Sequence, residues 1–186
     1  EAGVPYRVDG GTAYFARVTG HMSDIAKIIG RAEDARRFSD LRERIVEAFN
    51  REFVAPSGRV QGNNQTSYLI ALAFDMLPED KRENALRHLL KCFEWRNWHL
   101  STGFVGTPLI CPTLARFGKT EEAYRILLQQ TYPGWLYSVL QGATTIWERW
   151  NSYSHENGFG PVGMNSFNHY AYGAIGEWLV TAIAGI

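Results

Sequence analysis

One carboxylate stands between two tryptophans in Thr144-Thr145-Ile146-Trp147-Glu148-Arg149-Trp150, and a histidine follows about twenty residues on, in Met164-Asn165-Ser166-Phe167-Asn168-His169-Tyr170. Indole faces make a flat apolar wall on which a sugar ring stacks, and a carboxylate beside that wall can take a proton from water. Arg149 could hold the carboxylate ionised, or orient it through a fork-shaped pair. The competing reading is a Glu–Arg surface pair on a turn, and the local pattern weighs the two evenly. His169 alone reads as a satisfied histidine at a helix start. Asn165 reads as the cap of that helix, and Asn168 as a second cap or a pocket-lining residue. Hydrolysis of a glycosidic bond normally uses two carboxylates. This segment offers one.

Such a site needs elements to place it, and the chain is built for helices. Residues 12–29 set Tyr14, Phe15, Val18, Met22, Ile25, Ile28 and Ile29 near i, i+3, i+4, i+7 spacing, and Gly30 ends the run. Residues 32–53 carry Phe38, Leu41, Ile45, Ala48, Phe49 and Phe53 on one face and charges on the other. The pairing recurs. Gln65–Met76 is almost free of charge, Pro78 opens the next element at a favoured first-turn position, and 79–94 is strongly charged. Gly103–Phe117 is apolar and stopped by Gly118, and Lys119–Gln130 is amphipathic. Ser166–Ile183 is again apolar, with Gly173, Ala174 and Gly176 small enough for close helix approach. The repeat is roughly forty to fifty residues long, the mark of a repeated helical hairpin.

A helix that is apolar all round must be covered on every side, whereas an amphipathic one needs a single covered face. Alternation of the two types predicts an all-α fold in layers, with apolar inner and charged outer helices: an α/α barrel, or as runner-up an α-solenoid. In a barrel the site lies at one mouth. Polar, aromatic, Gly-rich loops at Ser57–Thr66, Trp95–Gly106 and Pro133–Gly163 suit that place, with Trp98, His99, Trp135 and Tyr137 as candidate subsite walls. Trp135–Val139 is the one short strand candidate. Asp24 and Glu177 sit within inner helices, away from the mouth, and neither reads as a second catalytic acid.

Composition narrows the function classes. Nineteen basic and nineteen acidic side chains cancel, which gives no pull toward nucleic acid or an anionic membrane. No apolar run approaches the ~20 residues of a membrane span. Cys92 and Cys111 lie in separate helical patterns and read as buried free thiols. No Cys/His cluster has zinc spacing, so neither a metal nor another cofactor is expected. Glu1-Ala2-Gly3-Val4-Pro5 lacks a signal-peptide pattern and resembles a loop entered midway, which sets the expected location as cytoplasmic.

"GATTIWERW" followed by "GMNSFNHYAYGAIGEWL" resembles the C-terminal half of the catalytic domain of bacterial α-L-rhamnosidases, glycoside hydrolase family 78. "NQTSYLIALAFDMLPE", "HLSTGFVGTP" and "YRILLQQTYPGW" agree, so the resemblance runs through essentially the whole chain. It implies the C-terminal portion of an (α/α)6 barrel of the six-hairpin glycosidase type, with residues 1–186 as one partial catalytic domain. It implies release of terminal L-rhamnose with inversion. By the same resemblance Glu148 is the general base and His169 contacts the sugar; Trp147, Trp150 and Asn168 are added as substrate-binding candidates from their residue types and place. The family's general acid belongs to an Asp/Glu/Arg-rich stretch that these residues do not contain, so an upstream half of the polypeptide is the expected partner. The isolated chain is then expected to be inactive and to expose inner-helix surface. Two alternatives stay open: a noncatalytic carbohydrate-binding or scaffold module, and a barrel hydrolase for another sugar.

Overall fold

The computed structural model describes residues 8–186, so the Glu1–Pro5 start lies outside the described residues. The chain forms two compact units, one ending at Leu90 and the other beginning at Lys91. Both are dominated by helix.

In the first unit α1 (Val8–Ile28) and α2 (Ala32–Phe53) form a hairpin. Gly30 has φ 75°, and the Arg31 N–H returns to the Ala26 carbonyl at 2.8 Å, the closure a left-handed glycine provides. The buried face of α1 is made of small residues: Ala13, Ala16, Thr19, Ser23 and Ala26. They let α2 come close enough for Ser23 Oγ to donate to the Ala35 carbonyl at 2.8 Å. The large residues Phe15, Val18, Met22, Ile25 and Ile29 face outward, 55, 55, 41, 50 and 66% exposed. The apolar row read from the sequence is therefore real, and it is the uncovered face of its helix.

α3 (Gln65–Ala73) is the covered counterpart. Gln65 and every residue from Ser67 to Leu72 is buried, as expected of an uncharged inner helix. Asn64 caps it by accepting the Ser67 N–H at 3.0 Å. α3 stops at Ala73, before the Met76 read from the sequence, because Asp75 turns to φ 54° and the Met76 N–H reaches back to the Ala71 carbonyl at 3.0 Å. Pro78 stands just ahead of α4 (Glu79–Glu94) and its carbonyl accepts the Lys81 N–H. α4 turns Ala85, Leu86 and Leu89 inward.

In the second unit, beyond the last turn of α4, a 3-10 turn at Thr107–Leu109 runs into α5 (Ile110–Arg116). Residues 103–106, read as the start of that helix, are instead tied in a loop: Thr107 Oγ1 donates to the Gly103 carbonyl at 2.9 Å and pairs with Thr102 Oγ1 at 2.8 Å. Gly118, φ 71°, closes α5 and lets α6 (Thr120–Leu127) fold back against it. The strand candidate at Trp135–Val139 is a helix, α7 (Trp135–Leu140). Its composition favours a strand, but the two buried positions, Trp135 and Ser138, lie one helical turn apart, and both bond to distant backbone. The Trp135 indole donates to the Tyr172 carbonyl at 2.9 Å, and Ser138 Oγ to the Trp150 carbonyl at 3.0 Å.

The only strands among the described residues are short. β1 (Tyr153–Ser154) pairs antiparallel with β2 (Gly158–Phe159), inside a segment the sequence reads as loop. The last helix also starts late. Residues 166–170 are irregular, a 3-10 turn covers Ala171–Ala174, α8 covers Ile175–Trp178, and a π-turn covers Leu179–Ile183. The late start has a physical cause: the Ser166 carbonyl accepts from the Glu148 N–H and the His169 N–H donates to the Ile146 carbonyl, so these groups cannot serve a helix.

Candidate active site

Residues 146–148 and 166–169 run side by side in the second unit. The Glu148 N–H reaches the Ser166 carbonyl at 2.9 Å, and the His169 N–H reaches the Ile146 carbonyl at 2.8 Å. This pairing carries Glu148 and His169 on two adjacent segments. The Glu148 side chain is half-buried, and its Oε2 accepts the Ser166 backbone N–H at 2.9 Å. A backbone donor on one carboxylate oxygen fixes the direction in which the side chain points. The second oxygen is left for another partner.

His169 is sandwiched. Phe104 stacks on one side at 4.8 Å and Tyr170 lies nearly parallel at 5.3 Å. Its Nδ1 accepts the Ala171 N–H at 3.3 Å, which places the ring proton on Nε2 and makes that nitrogen a donor. Two of the three loops read from the sequence as site-forming come together on Tyr172: Phe104 of 95–106 lies 5.3 Å from its ring, and Trp150 of 133–163 lies 4.0 Å from it. Phe104 was not singled out by sequence spacing. Its signal was the "HLSTGFVGTP" stretch that carries it.

The two tryptophans are turned inward, only 7% and 8% exposed. Trp147 meets Phe167 and Tyr153 edge-on at 5.4 and 6.5 Å. Trp150 stacks on Tyr172 at 4.0 Å and meets Trp135 edge-on at 5.3 Å. The sequence reads these indoles as stacking walls for a sugar; in the fold both are buried, with aromatic rings packed against them. Tyr172 was missed. It is buried, and burial first, then Tyr132 and Glu148, push its phenol up to about 12, so it stays neutral at ordinary pH.

Arg149 does not form the fork with Glu148 that its position suggested. Its Nη2 turns away to the Asn165 Oδ1 at 3.4 Å and the Pro161 carbonyl at 3.5 Å. Asn165 is no helix cap either, since the residues after it are not helical. Its Nδ2 donates to the carbonyls of Ser152 and Gly160 at 3.2 and 3.3 Å. Asn168 is exposed, with its N–H on Ser166 Oγ at 3.2 Å.

The remaining candidates are engaged elsewhere. Trp98 stacks on Phe93 and lies under the Arg125 guanidinium, while His99 pairs with Thr131 Oγ1 and the Arg96 carbonyl. Tyr137 meets Tyr132. Asp24 is an exposed partner of Lys27 at 3.0 Å, and Glu177 is exposed. Cys92 and Cys111 are buried thiols outside any disulfide. Among the described residues no group of three His, Cys, Asp or Glu is arranged to hold a metal, and no helix is long and apolar enough to cross a membrane.

Residues 10–183 match the family described as the bacterial alpha-L-rhamnosidase 6 hairpin glycosidase domain. The chain is 47% identical over 178 residues to an alpha-L-rhamnosidase of Formosa agariphila, a match that covers 95% of this chain and 19% of that protein. Its structure is similar to that of the Streptomyces avermitilis alpha-L-rhamnosidase complexed with L-rhamnose, with a TM-score of 0.89 and 44% identity, over 94% of this chain and 17% of that one. The alpha-L-rhamnosidase of Aspergillus terreus is similar with a TM-score of 0.87 and 32% identity, over 92% of this chain and 20% of that one. The chain thus spans about a fifth of the length of the proteins it matches.

Proposed function

Because the chain belongs to the family of bacterial alpha-L-rhamnosidase six-hairpin glycosidase domains, we propose that it is part of the catalytic barrel of an inverting glycoside hydrolase that releases terminal L-rhamnose. Glu148 serves as the general base. The observation that carries this role is the carboxylate itself, held through Oε2 by the Ser166 N–H and placed beside His169's segment. With one oxygen committed, Oε1 meets the water on the face of the sugar opposite the leaving group. In an inverting reaction the partner acid stands roughly 6.5–9.5 Å away, which leaves room for that water.

The other residues follow from their surroundings. His169 offers Nε2–H to a sugar hydroxyl, with its ring orientation set by the Phe104 and Tyr170 stack. Asn168, exposed on the same segment, is the second polar contact. Trp147 and Trp150, buried among aromatic rings and close to Glu148 in the chain, restrict water around the base. The general acid comes from a part of the polypeptide that these residues do not include, in keeping with a chain that covers 17–20% of its relatives.

The test uses the full-length parent enzyme with an aryl α-L-rhamnoside. Glu148→Gln keeps the size and the Ser166 hydrogen bond but loses the base, and kcat is expected to fall about 10²–10⁴-fold. Near-normal turnover by Glu148→Gln would remove Glu148 from the mechanism. Proton NMR of the first product released identifies the anomer. A retained configuration would rule out inversion.

A further inference from the structure

We infer that Asn165 is a positioning residue for Glu148, acting with Arg149 to hold the Ser166 N–H on the catalytic carboxylate. The inference rests on the reading of Glu148 as the general base. Arg149 and Asn165 occupy matching places: each is the residue next to one partner of the key contact, Glu148 on one segment and Ser166 on the other. Between them runs the connection 150–164, which includes the β1–β2 hairpin. A connection of that length leaves the register of 148 against 166 unspecified unless something ties its base.

The tie is made by these two side chains. Arg149 Nη2 donates to Asn165 Oδ1 at 3.4 Å and to the Pro161 carbonyl at 3.5 Å. Asn165 Nδ2 donates to the carbonyls of Ser152 and Gly160. The Gly160 N–H returns to the Ser152 carbonyl at 2.8 Å, and the Arg149 N–H donates to Ser152 Oγ at 3.3 Å. Donors and acceptor of the one Asn165 amide are thus both used, on Arg149 and on two separate stretches of the connection. The packing is close: a Cβ on Gly160 would lie 2.5 Å from Arg149 Nη2 and 3.3 Å from the Ser152 carbonyl. Arg149 Nε is buried without a hydrogen-bond partner, so the side chain is held by its outer end.

Immediately outside this knot the Glu148 N–H and Ser166 carbonyl pair at 2.9 Å, and the Ser166 N–H meets Oε2 at 2.9 Å. Loosening the knot frees Ser166 to drift and the carboxylate to rotate. Such a change acts on the chemical step, because a displacement of the order of 1 Å at a reacting group costs up to about 100-fold. It leaves the Phe104–His169 contacts to the sugar in place, so binding is spared.

The experiment compares variants of the full-length parent enzyme on an aryl α-L-rhamnoside. Asn165→Ala is expected to lower kcat about 10- to 100-fold with KM within about twofold of normal. Combined with Glu148→Gln, Asn165→Ala is expected to add no further loss, since it acts only through that carboxylate. A purely structural role predicts the opposite, an equal further loss in the Glu148→Gln background, and that result would overturn the inference. Arg149→Lys is the milder second variant should Asn165→Ala fail to fold; the same split and the same lack of additivity are expected. Normal turnover by both variants beside an inactive Glu148→Gln sinks the positioning role and leaves the base intact. An active Glu148→Gln sinks both.

Discussion

A single backbone N–H on Glu148 does more to define the site than the charged neighbour beside it. The Glu–Arg pair that spacing suggested is absent from the geometry, because Arg149 has a set of carbonyl and amide acceptors within reach on the far side. What spacing could not contain is the return of Ser166 to Glu148, a contact between residues eighteen positions apart. The same limit hid Phe104 and Tyr172, which meet the site only through folding. Both Tyr172 and the buried Cys111 thiol are pushed up to about 12 by burial, from ordinary values of 10 and 9. Each favours the folded state while protonated. Stability is therefore expected to be flat below about pH 9 and to fall as pH rises toward 12, when the unfolded chain releases these protons and the folded one does not. Denaturant midpoints at pH 8, 10 and 11 measure this, and Tyr172→Phe should flatten the part above pH 10. A midpoint unchanged at pH 11 would contradict the assignment.

At the scale of elements, the sequence was legible wherever helix ends carry local chemistry. Gly30, Gly118 and Pro78 stand where glycine closes and proline precedes a helix, and all three do so here. Elements went astray where distant groups claimed the backbone. Ser166 to His169 are held against 146–148 and cannot start a helix, and Trp135–Val139 is helical because Tyr172 and Trp150 receive its side chains. The charge-free α3 depends on its entry turn, where Asn64 caps Ser67 and Asn63 Oδ1 receives the Tyr68 hydroxyl at 2.6 Å. Asn64→Ala is expected to lower stability by about 1 kcal/mol, whereas Asn64→Asp keeps the acceptor and most of the stability. Chemical denaturation of the two variants decides it; equal midpoints for both and the parent would show that the cap is idle.

At the scale of the molecule, the apolar row on α1 matters most. Phe15, Val18, Met22, Ile25 and Ile29 repeat every three and four residues, as in a helix made to pack against another, and each is at least 41% exposed. In solution the isolated chain is expected to self-associate through this row, since soluble monomers rarely leave so continuous an apolar strip bare. Light scattering of the chain against the double variant Val18→Glu/Ile25→Glu tests it: the variant should be the smaller species, and a monodisperse monomeric parent would refute it. The sequence by itself determined the helical class, the alternation of more apolar and more charged helices, and the glycine and proline boundaries. These are properties of periodicity and local backbone preference, which neighbouring residues decide. Only the tertiary structure decided that Trp147 and Trp150 are buried among aromatic rings, that Arg149 serves Asn165, and that the Ser166 N–H meets the Glu148 carboxylate. Those are choices among partners far apart in the chain, and a hydrogen-bond donor takes whichever acceptor folding brings within 3 to 3.5 Å.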